Sequence, residues 1–201
     1  LLENIKTALL GRNSVLKSGV VIANALMHVG TSVDTFLRNN LEWLGEATLF
    51  AKFSATASLG VIHKGQVKEA RKILAPYLPG GAPAAGSGAN YTEGGSLFAL
   101  GLVHSNSGGG DALPFLRQAL SAASDPVVQH GASLGIGLAA MSSLDTGIVE
   151  SLMEVVYQDE AVAGEAAGIA IGLVAMGSLA ETTVGEMVQY ARETQHEKIV
   201  R

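Results

Sequence analysis

The sequence contains no cysteine and few aromatic residues. Without cysteine there is no disulfide framework, no thiolate-ligated zinc site and no thiol nucleophile, and the composition is compatible with a reducing compartment. Aromatic residues make up only 5% of the chain, whereas 48% of its residues are hydrophobic and 25 are glycine. Small and aliphatic side chains must therefore fill the interior, with the backbones close together.

The chain also lacks a basic stripe and a membrane-length hydrophobic run. Its 13 Lys and Arg residues are scattered through a sequence of net charge −5, which argues against a nucleic-acid footprint. The apolar stretch at 166–180 has 15 residues between Glu165 and Glu181, fewer than the roughly 20 that span a bilayer. We therefore expect neither nucleic acid nor a membrane as a partner.

The two ends of the sequence indicate a segment of a longer protein. The chain starts at Leu1, inside a predicted helix and without an initiator Met or the layout of a signal peptide, and it stops at Arg201 just as another predicted element begins. A length of 201 residues suits one domain with a sizeable core. We expect a single partial repeat domain spanning residues 1–201 and truncated at both ends.

A short motif recurs along the chain at nearly constant spacing. A small central residue, the marker, precedes an aliphatic pair and then His or Ala. The markers are Ala25, Gly60, Gly101, Gly137 and Gly172. Their intervals are 35, 41, 36 and 35 residues, and the long interval contains a Gly/Ala/Pro-rich insertion at residues 79–90. A period near 35 is typical of helix pairs stacked in an α-solenoid or a closed ring.

Each repeat is predicted to contain two helices of different character. Val149, Leu152 and Val156 form one stripe of an amphipathic helix, and the stripe returns 35 residues later from Val184. The helix that carries the marker is apolar nearly all round, so we expect it to be buried. The sequence thus predicts an all-α fold with inner small-residue helices and outer amphipathic helices. Close packing of inner helices is expected at Gly60, Gly101, Gly137, Gly168 and Gly172.

Helix starts can be predicted at three places. Asp125 before Pro126 is typical of an N-cap followed by proline at the first helical position. Ser178 and Glu181 have the spacing of a capping box. Asp159 is also predicted to be an N-cap.

Two patterns that could indicate chemistry have simpler structural interpretations. Residues 135–140 match G-x-G-x-x-A, but the dinucleotide motif needs a glycine turn between a strand and a helix, and here the helix begins upstream. Asp159, Glu160 and Glu165 could form an acid–base pair, although the first two suit a helix N-terminus. We assign no catalytic residue, no cofactor and no metal from the sequence.

Three histidines share one repeat position, three residues after the marker. They are His28, His63 and His104. A metal site on successive inner helices is conceivable, but acidic or thiolate ligands that would complete it are missing. We favour structural roles at helix C-termini, where each ring can interact with the last carbonyls and the helix dipole.

Residues 94–104, GGSLFALGLVH, resemble the proteasome/cyclosome repeat. This family occurs in the two largest non-ATPase subunits of the proteasome regulatory particle and in the largest anaphase-promoting-complex subunit. The tracts NLEWL (40–44), TASLGVIHKG (56–65), GEAAG (164–168) and ETQHEKI (193–199) favour its proteasomal members. The resemblance covers essentially the whole chain.

The resemblance implies a ring of two concentric helix layers and a non-catalytic scaffold role. Its implied partners are the ATPase ring and ubiquitin-receptor subunits of the regulatory particle, in cytoplasm and nucleus. A generic α-solenoid adaptor and the anaphase-promoting-complex subunit remain alternatives, and an enzyme requires a pocket of converging polar groups. We also expect exposed repeat ends to self-associate.

Overall fold

The computed structural model describes residues 1–9, 14–40, 43–44, 49–81, 88–178 and 180–200. Within these residues the chain forms α-helices and no strand, which confirms the predicted all-α fold class. Residues 82–87 of the predicted insertion, residues 41–42 of the tract at 40–44 and Leu179 lie outside the described residues. The helices are α1 (Leu2–Ala8), α2 (Ser14–Met27), α3 (Thr35–Asn39), α4 (Phe50–Ile62), α5 (Ala70–Leu74), α6 (Ala89–Val103), α7 (Ala112–Ala122), α8 (Pro126–Ala139), α9 (Thr146–Val156), α10 (Ala161–Val174), α11 (Glu181–Glu193) and α12 (Glu197–Val200).

The helices alternate between two sets. The inner helices α2, α4, α6, α8 and α10 carry the markers, and each packs against the next inner helix along the chain. The outer helices are α3, α5, α7, α9 and α11. Of these, α5 packs against α6, α7 against α8, and α9 against α10. An outer helix therefore lies against the inner helix of the next repeat, which joins consecutive repeats.

One hydrophobic core continues between the two sets of helices. It extends from Val21 in α2 to Val174 in α10 and consists mainly of aliphatic residues and alanine. Leu116 of α7 and Leu152 of α9 are completely buried. Because burying a leucine side chain contributes roughly 1.5–3 kcal/mol, these contacts hold the outer helices onto the inner ones.

A residue with a left-handed backbone follows every inner helix. It lies five positions after each marker: Gly30 (φ 68°), Gly65 (φ 87°), Asn106 (φ 62°), Ser142 (φ 59°) and Gly177 (φ 86°). Glycine adopts this conformation without steric cost, and asparagine tolerates it better than most residues. The chain can therefore reverse direction tightly at the same point of each repeat.

These turns are hydrogen-bonded to the following inner helix. The amide of Gly30 donates to the carbonyl of Val61 at 3.1 Å, and that of Ser142 donates to the carbonyl of Leu173 at 3.0 Å. The last carbonyls of a helix have no partner within their own helix. The turns at Gly30, Gly65 and Ser142 thus satisfy carbonyls of the next inner helix and fix the step between repeats.

Of the predicted helix starts, the one at Asp125 is confirmed. Its carboxylate accepts hydrogen bonds from the amides of Val127 (2.9 Å) and Val128 (3.3 Å), and Pro126 begins α8. The same carboxylate accepts a hydrogen bond from Asn90 at 3.0 Å. The cap of one inner helix is therefore bonded to the preceding inner helix.

The other two predictions of helix starts are wrong. The N-cap of α11 is Ala180, which makes no side-chain cap, and the hydroxyl of Ser178 donates to the carbonyl of Ala175 instead. The N-cap of α10 is Glu160, whose carboxylate accepts from two backbone amides, rather than Asp159. Both predictions failed because the predicted capping side chain bonds elsewhere. Ser178 bonds within its own turn, and Asp159 bonds to Tyr190 and Thr194.

The outer helices differ in length. α5 contains only five residues, whereas α7 and α9 contain 11 each. Pro76 cannot donate the hydrogen bond that would continue α5, so its regular ladder ends at Leu74. No helix in the described part of the chain is both long and apolar enough to cross a membrane.

Candidate functional site

Three marker glycines lie at close contacts between the backbones of neighbouring inner helices. A Cβ added to Gly60 would lie 2.6 Å from the Cα of Ala99, and one added to Gly137 would lie 2.7 Å from the Cα of Ala170. At Gly101 the added atom would lie 2.5 Å from the carbonyl oxygen of Gly135. Only a hydrogen fits at these positions. We call this row of backbone contacts the glycine seam.

The seam also contains glycines that the repeat motif did not identify. A Cβ on Gly94 would lie 2.5 Å from the carbonyl oxygen of Val127, and one on Gly131 would lie 2.7 Å from the Cα of Gly94. Gly131 and Gly135 are four residues apart, which is the spacing already present at 164, 168 and 172. The four-residue spacing could therefore have identified Gly131 and Gly135, which lie on the side of α8 that packs against α6.

Gly168 and Gly172 have a different environment from the three earlier seam positions. A Cβ on Gly168 would make an ordinary 3.7 Å contact with the Met187 side chain, and one on Gly172 would meet no atom of the described residues within 4 Å. The same side of α10 exposes Ile169, with 52% of its surface accessible. In α4, α6 and α8 the corresponding side is occupied by the next inner helix.

The outer helix α11 also has an uncovered apolar stripe. Val184 and Val188 are exposed, while Met187 is half-buried against the core. Their counterparts 35 residues earlier are Val149, which is half-buried, and Met153, which is buried. The amphipathic pattern predicted the stripe, but not that part of it faces solvent. We call the uncovered residues Val184 and Val188 of α11, together with Ile169 and Gly172 of α10, the open face.

The three repeat-position histidines have three different environments. His28 follows α2, and its Nδ1 lies 3.0 Å from the carbonyl oxygen of Asn24. His63 is buried, with Nε2 3.2 Å from a carboxylate oxygen of Asp34. His104 is completely buried, its two ring nitrogens have no hydrogen-bond partner among the described residues, and the burial lowers its pKa. No three His, Asp or Glu side chains of the described residues are grouped to hold a metal.

Asp34 connects the first two repeats. Its carboxylate accepts hydrogen bonds from Arg38, 2.7 Å from Nη2 and 2.8 Å from Nε, and contacts His63 of the next inner helix. The hydrogen bond from Arg38 outweighs the opposing effect of burial, and with the contact to His63 it lowers the pKa of Asp34. A predominantly ionised Asp34 is therefore part of the folded structure.

The acidic cluster near residue 160 is a second joint between repeats. Asp159 accepts hydrogen bonds from the hydroxyls of Tyr190 (2.6 Å) and Thr194 (2.7 Å), the latter 35 residues away. These bonds lower the pKa of Asp159, and burial together with Asp159 raises that of Tyr190 to about 12. Because Glu160 caps α10, these two carboxylates serve as hydrogen-bond acceptors in the fold.

The G-x-G-x-x-A pattern at 135–140 lies largely within α8. A Cβ on Gly135 would lie 2.6 Å from the carbonyl oxygen of Leu97, and Gly137 faces Ala170. Neighbouring helices therefore fill the space beside both glycines. They form no turn that could cradle a phosphate.

Two open grooves separate neighbouring outer helices. The groove between α7 and α9 has a volume of about 580 Å³ and is lined by polar residues that include Arg117, Gln129 and Gln158. The groove between α9 and α11 has a volume of about 690 Å³ and combines apolar residues with glutamates. Both are surface channels along helices, which suits contact with a polypeptide.

These observations define the class of protein: a stack of helix pairs whose inner backbones interlock, whose outer helices border grooves, and whose helices α10 and α11 share an open apolar face. No family model matches the chain. Individual proteins, however, are similar to it over its whole length. It is 54% identical over all 201 residues to 26S proteasome non-ATPase regulatory subunit 1 homolog B of Arabidopsis thaliana. It is 48% identical over 201 residues to 26S proteasome regulatory subunit rpn2 of Schizosaccharomyces pombe.

A third relative is also a regulatory subunit of the 26S proteasome. Over 190 residues the chain is 50% identical to 26S proteasome non-ATPase regulatory subunit 1 of Drosophila melanogaster. The alignments include 100%, 100% and 94% of this chain, but only 20%, 20% and 18% of the respective relatives. The resemblance to the proteasomal members of the repeat family is thus confirmed, and the chain spans about a fifth of these relatives.

The contacts of the glycine seam predict that alanine has opposite effects on stability at two equivalent marker positions. Gly101→Ala should destabilise the chain by roughly 2–3 kcal/mol, because its Cβ overlaps the backbone of Gly135. Gly172→Ala is the matched control, with open space and a gain in helix propensity of up to about 1 kcal/mol. Urea unfolding followed by circular dichroism measures both. Equal losses of stability in the two variants would contradict the packing role of the seam.

The lowered pKa of Asp34 predicts how the stability of the fold depends on pH. Because its folded-state pKa is lowered from 3.8, ionised Asp34 stabilises the fold above pH 3.8 and loses this effect as the pH falls through the lowered pKa. Asp34→Asn should therefore be less stable than the original chain at pH 6, and the difference should shrink below pH 3.8.

Urea midpoints measured between pH 6 and pH 3 provide the test. Asp111→Asn is the control, because Asp34 and Asp111 are both N-cap residues, of α3 and α7, without a side-chain cap bond. A gap between Asp34→Asn and the original chain that stays constant down to pH 3 would show that the charge of Asp34 contributes nothing.

Proposed function

We propose that this chain is a non-catalytic scaffold segment of the base of the 26S proteasome regulatory particle. The observation that supports this most is its 54% identity, over all 201 residues, to a protein named as a non-ATPase regulatory subunit. Because it spans a fifth of that relative, the proposed role is that of a segment within a larger subunit. We assign the chain to one partial proteasome/cyclosome repeat domain, residues 1–201.

The proposed mechanism is geometric. The glycine seam brings inner helices into backbone contact, and turn amides such as that of Ser142 bond to the next helix. Interlocked backbones have little freedom to slide, since any shift drives backbone atoms into one another. The outer helices and their grooves are thereby held at fixed spacing for partner subunits.

The partners in this proposal are the ATPase ring and the ubiquitin receptors of the regulatory particle, which the segment helps to organise for ubiquitin-dependent degradation. It functions in the cytoplasm and nucleus and needs no cofactor. Asp159 and Glu160, the acidic residues closest to a catalytic arrangement, are engaged in joints and caps. The repeat-position histidines and the seam glycines have structural roles in this proposal.

Co-purification tests the assignment. A tagged copy of the chain, expressed in eukaryotic cells, should recover proteasomal ATPase subunits identified by mass spectrometry. The control is the equally tagged Gly101→Leu variant, whose side chain cannot fit against Gly135. Recovery of anaphase-promoting-complex subunits in place of proteasomal ones would instead support the alternative within the same repeat family.

The open face predicts self-association of the isolated chain. Ile169 and Val188 are exposed apolar side chains, and heterologous contact between repeat faces can continue from copy to copy. Sedimentation should show a mass that rises with concentration. Ile169→Lys should reduce the association, whereas Gln118→Lys, on the exposed side of α7, should not. A monomer at every concentration would contradict the prediction.

A further inference from the structure

The charges of this chain are distributed unevenly. Residues 118–191 contain nine Asp and Glu but neither Lys nor Arg, whereas residues 1–117 contain ten Lys and Arg and seven Asp and Glu. The groove between α9 and α11 lies entirely within the stretch that has no Lys or Arg. The lining of this groove therefore contains no lysine or arginine.

The groove between α9 and α11 has an apolar floor. Val149 is half-buried and Met153 is buried, so both contribute to the base of the groove. Leu144 and Tyr157, at its two ends, are 51% and 54% exposed. Exposed apolar side chains that line a channel of about 690 Å³ give a docking surface for one or two apolar side chains of another chain.

Carboxylates line the same groove. Glu150 and Glu154 lie one turn apart on α9, and Glu186 lies on α11. None of the three forms an ion pair with a described residue within 4.0 Å. This contrasts with Asp159 and Glu160 in the same part of the chain, which are both engaged in the fold. No direct ion pair with a described residue therefore neutralises these three carboxylates.

The neighbouring groove between α7 and α9 differs in its charge and in the exposure of its apolar residues. Arg117 lies in it together with Glu154, so its lining carries charges of both signs. Its buried Gln129 is bonded to Gln158 at 3.2 Å and to the carbonyl of Ala123 at 3.1 Å. The floor residues Leu120 and Val155 are buried. Both grooves thus have an apolar floor, but only the second has exposed apolar side chains in its lining and carboxylates without Lys or Arg beside them.

We propose that the groove between α9 and α11 docks a basic segment of a partner protein, with Lys or Arg beside Glu150, Glu154 and Glu186 and an apolar side chain against Val149 and Met153. An amphipathic helix laid into a groove meets these requirements. Tyr157 offers an additional aromatic surface to a cation. This inference rests on the proposed scaffold role and specifies one of its docking surfaces.

The test uses the whole chain and three fluorescent 15-residue peptides. The first is a helix with Leu on one face and Lys and Arg on the other, the second replaces every Lys and Arg by Glu, and the third replaces every Leu by Ser. Fluorescence anisotropy at low salt should show binding of the first peptide only. Affinity should fall as salt is raised, because exposed charges are screened.

Charge variants locate the binding site. The triple variant E150Q/E154Q/E186Q should bind the first peptide about tenfold more weakly, since each exposed ion pair contributes roughly a factor of two. Val149→Asp should abolish binding by placing a charge in the apolar floor. The matched control E69Q/E165Q/E193Q removes equal charge outside the groove and should leave affinity unchanged, and circular dichroism establishes that all variants are folded.

Three results would overturn the proposal. They are equal binding by the Ser-substituted peptide, unchanged affinity in the E150Q/E154Q/E186Q variant, and tighter binding of a peptide copied from residues 64–72 of this chain. The last result would identify a second copy as the occupant, because that segment carries Lys64, Lys68, Arg71 and Lys72. Co-purification of proteasomal ATPases is independent of this peptide test, so the scaffold role and the docking groove can fail separately.

Discussion

Direct contact between the backbones of neighbouring inner helices is the constraint on which the rest of this structure depends. At Gly60, Gly101 and Gly137 the separation leaves room for a hydrogen and not for a methyl group. Each glycine in a helix interior costs roughly 1 kcal/mol relative to alanine, and close packing of extended surfaces compensates.

Two further devices fix how one repeat is placed on the next. Turn amides at left-handed residues bond to the last carbonyls of the following inner helix, as Gly30 does with Val61. Side chains then join equivalent places of adjacent repeats, as Asn90 does with Asp125 and Thr194 with Asp159, in both cases across 35 residues. The period of the sequence thus reappears as the spacing of the bonds between repeats.

The surface departs from this regularity, and that is where a scaffold acquires specificity. Equivalent grooves on successive repeats differ in charge and in the exposure of their apolar side chains, because outer-helix residues need only maintain the core with one face. The grooves can therefore vary while the seam stays fixed. This division agrees with a role in which a stiff interior holds variable docking surfaces, and similarity to a regulatory subunit of the proteasome supports that role.

The sequence by itself determined the all-α fold, the period near 35 residues, the two kinds of helix and the cap at Asp125, because these follow from local spacing of apolar, glycine and capping residues. It also contained the gap in Lys and Arg between residues 117 and 192. Only the tertiary structure decided that Asp159 bonds to Tyr190 and Thr194, that His28, His63 and His104 have unlike environments, and that Gly172 faces open space. Such outcomes depend on which residues of distant repeats meet, and helix packing rather than local pattern sets those meetings.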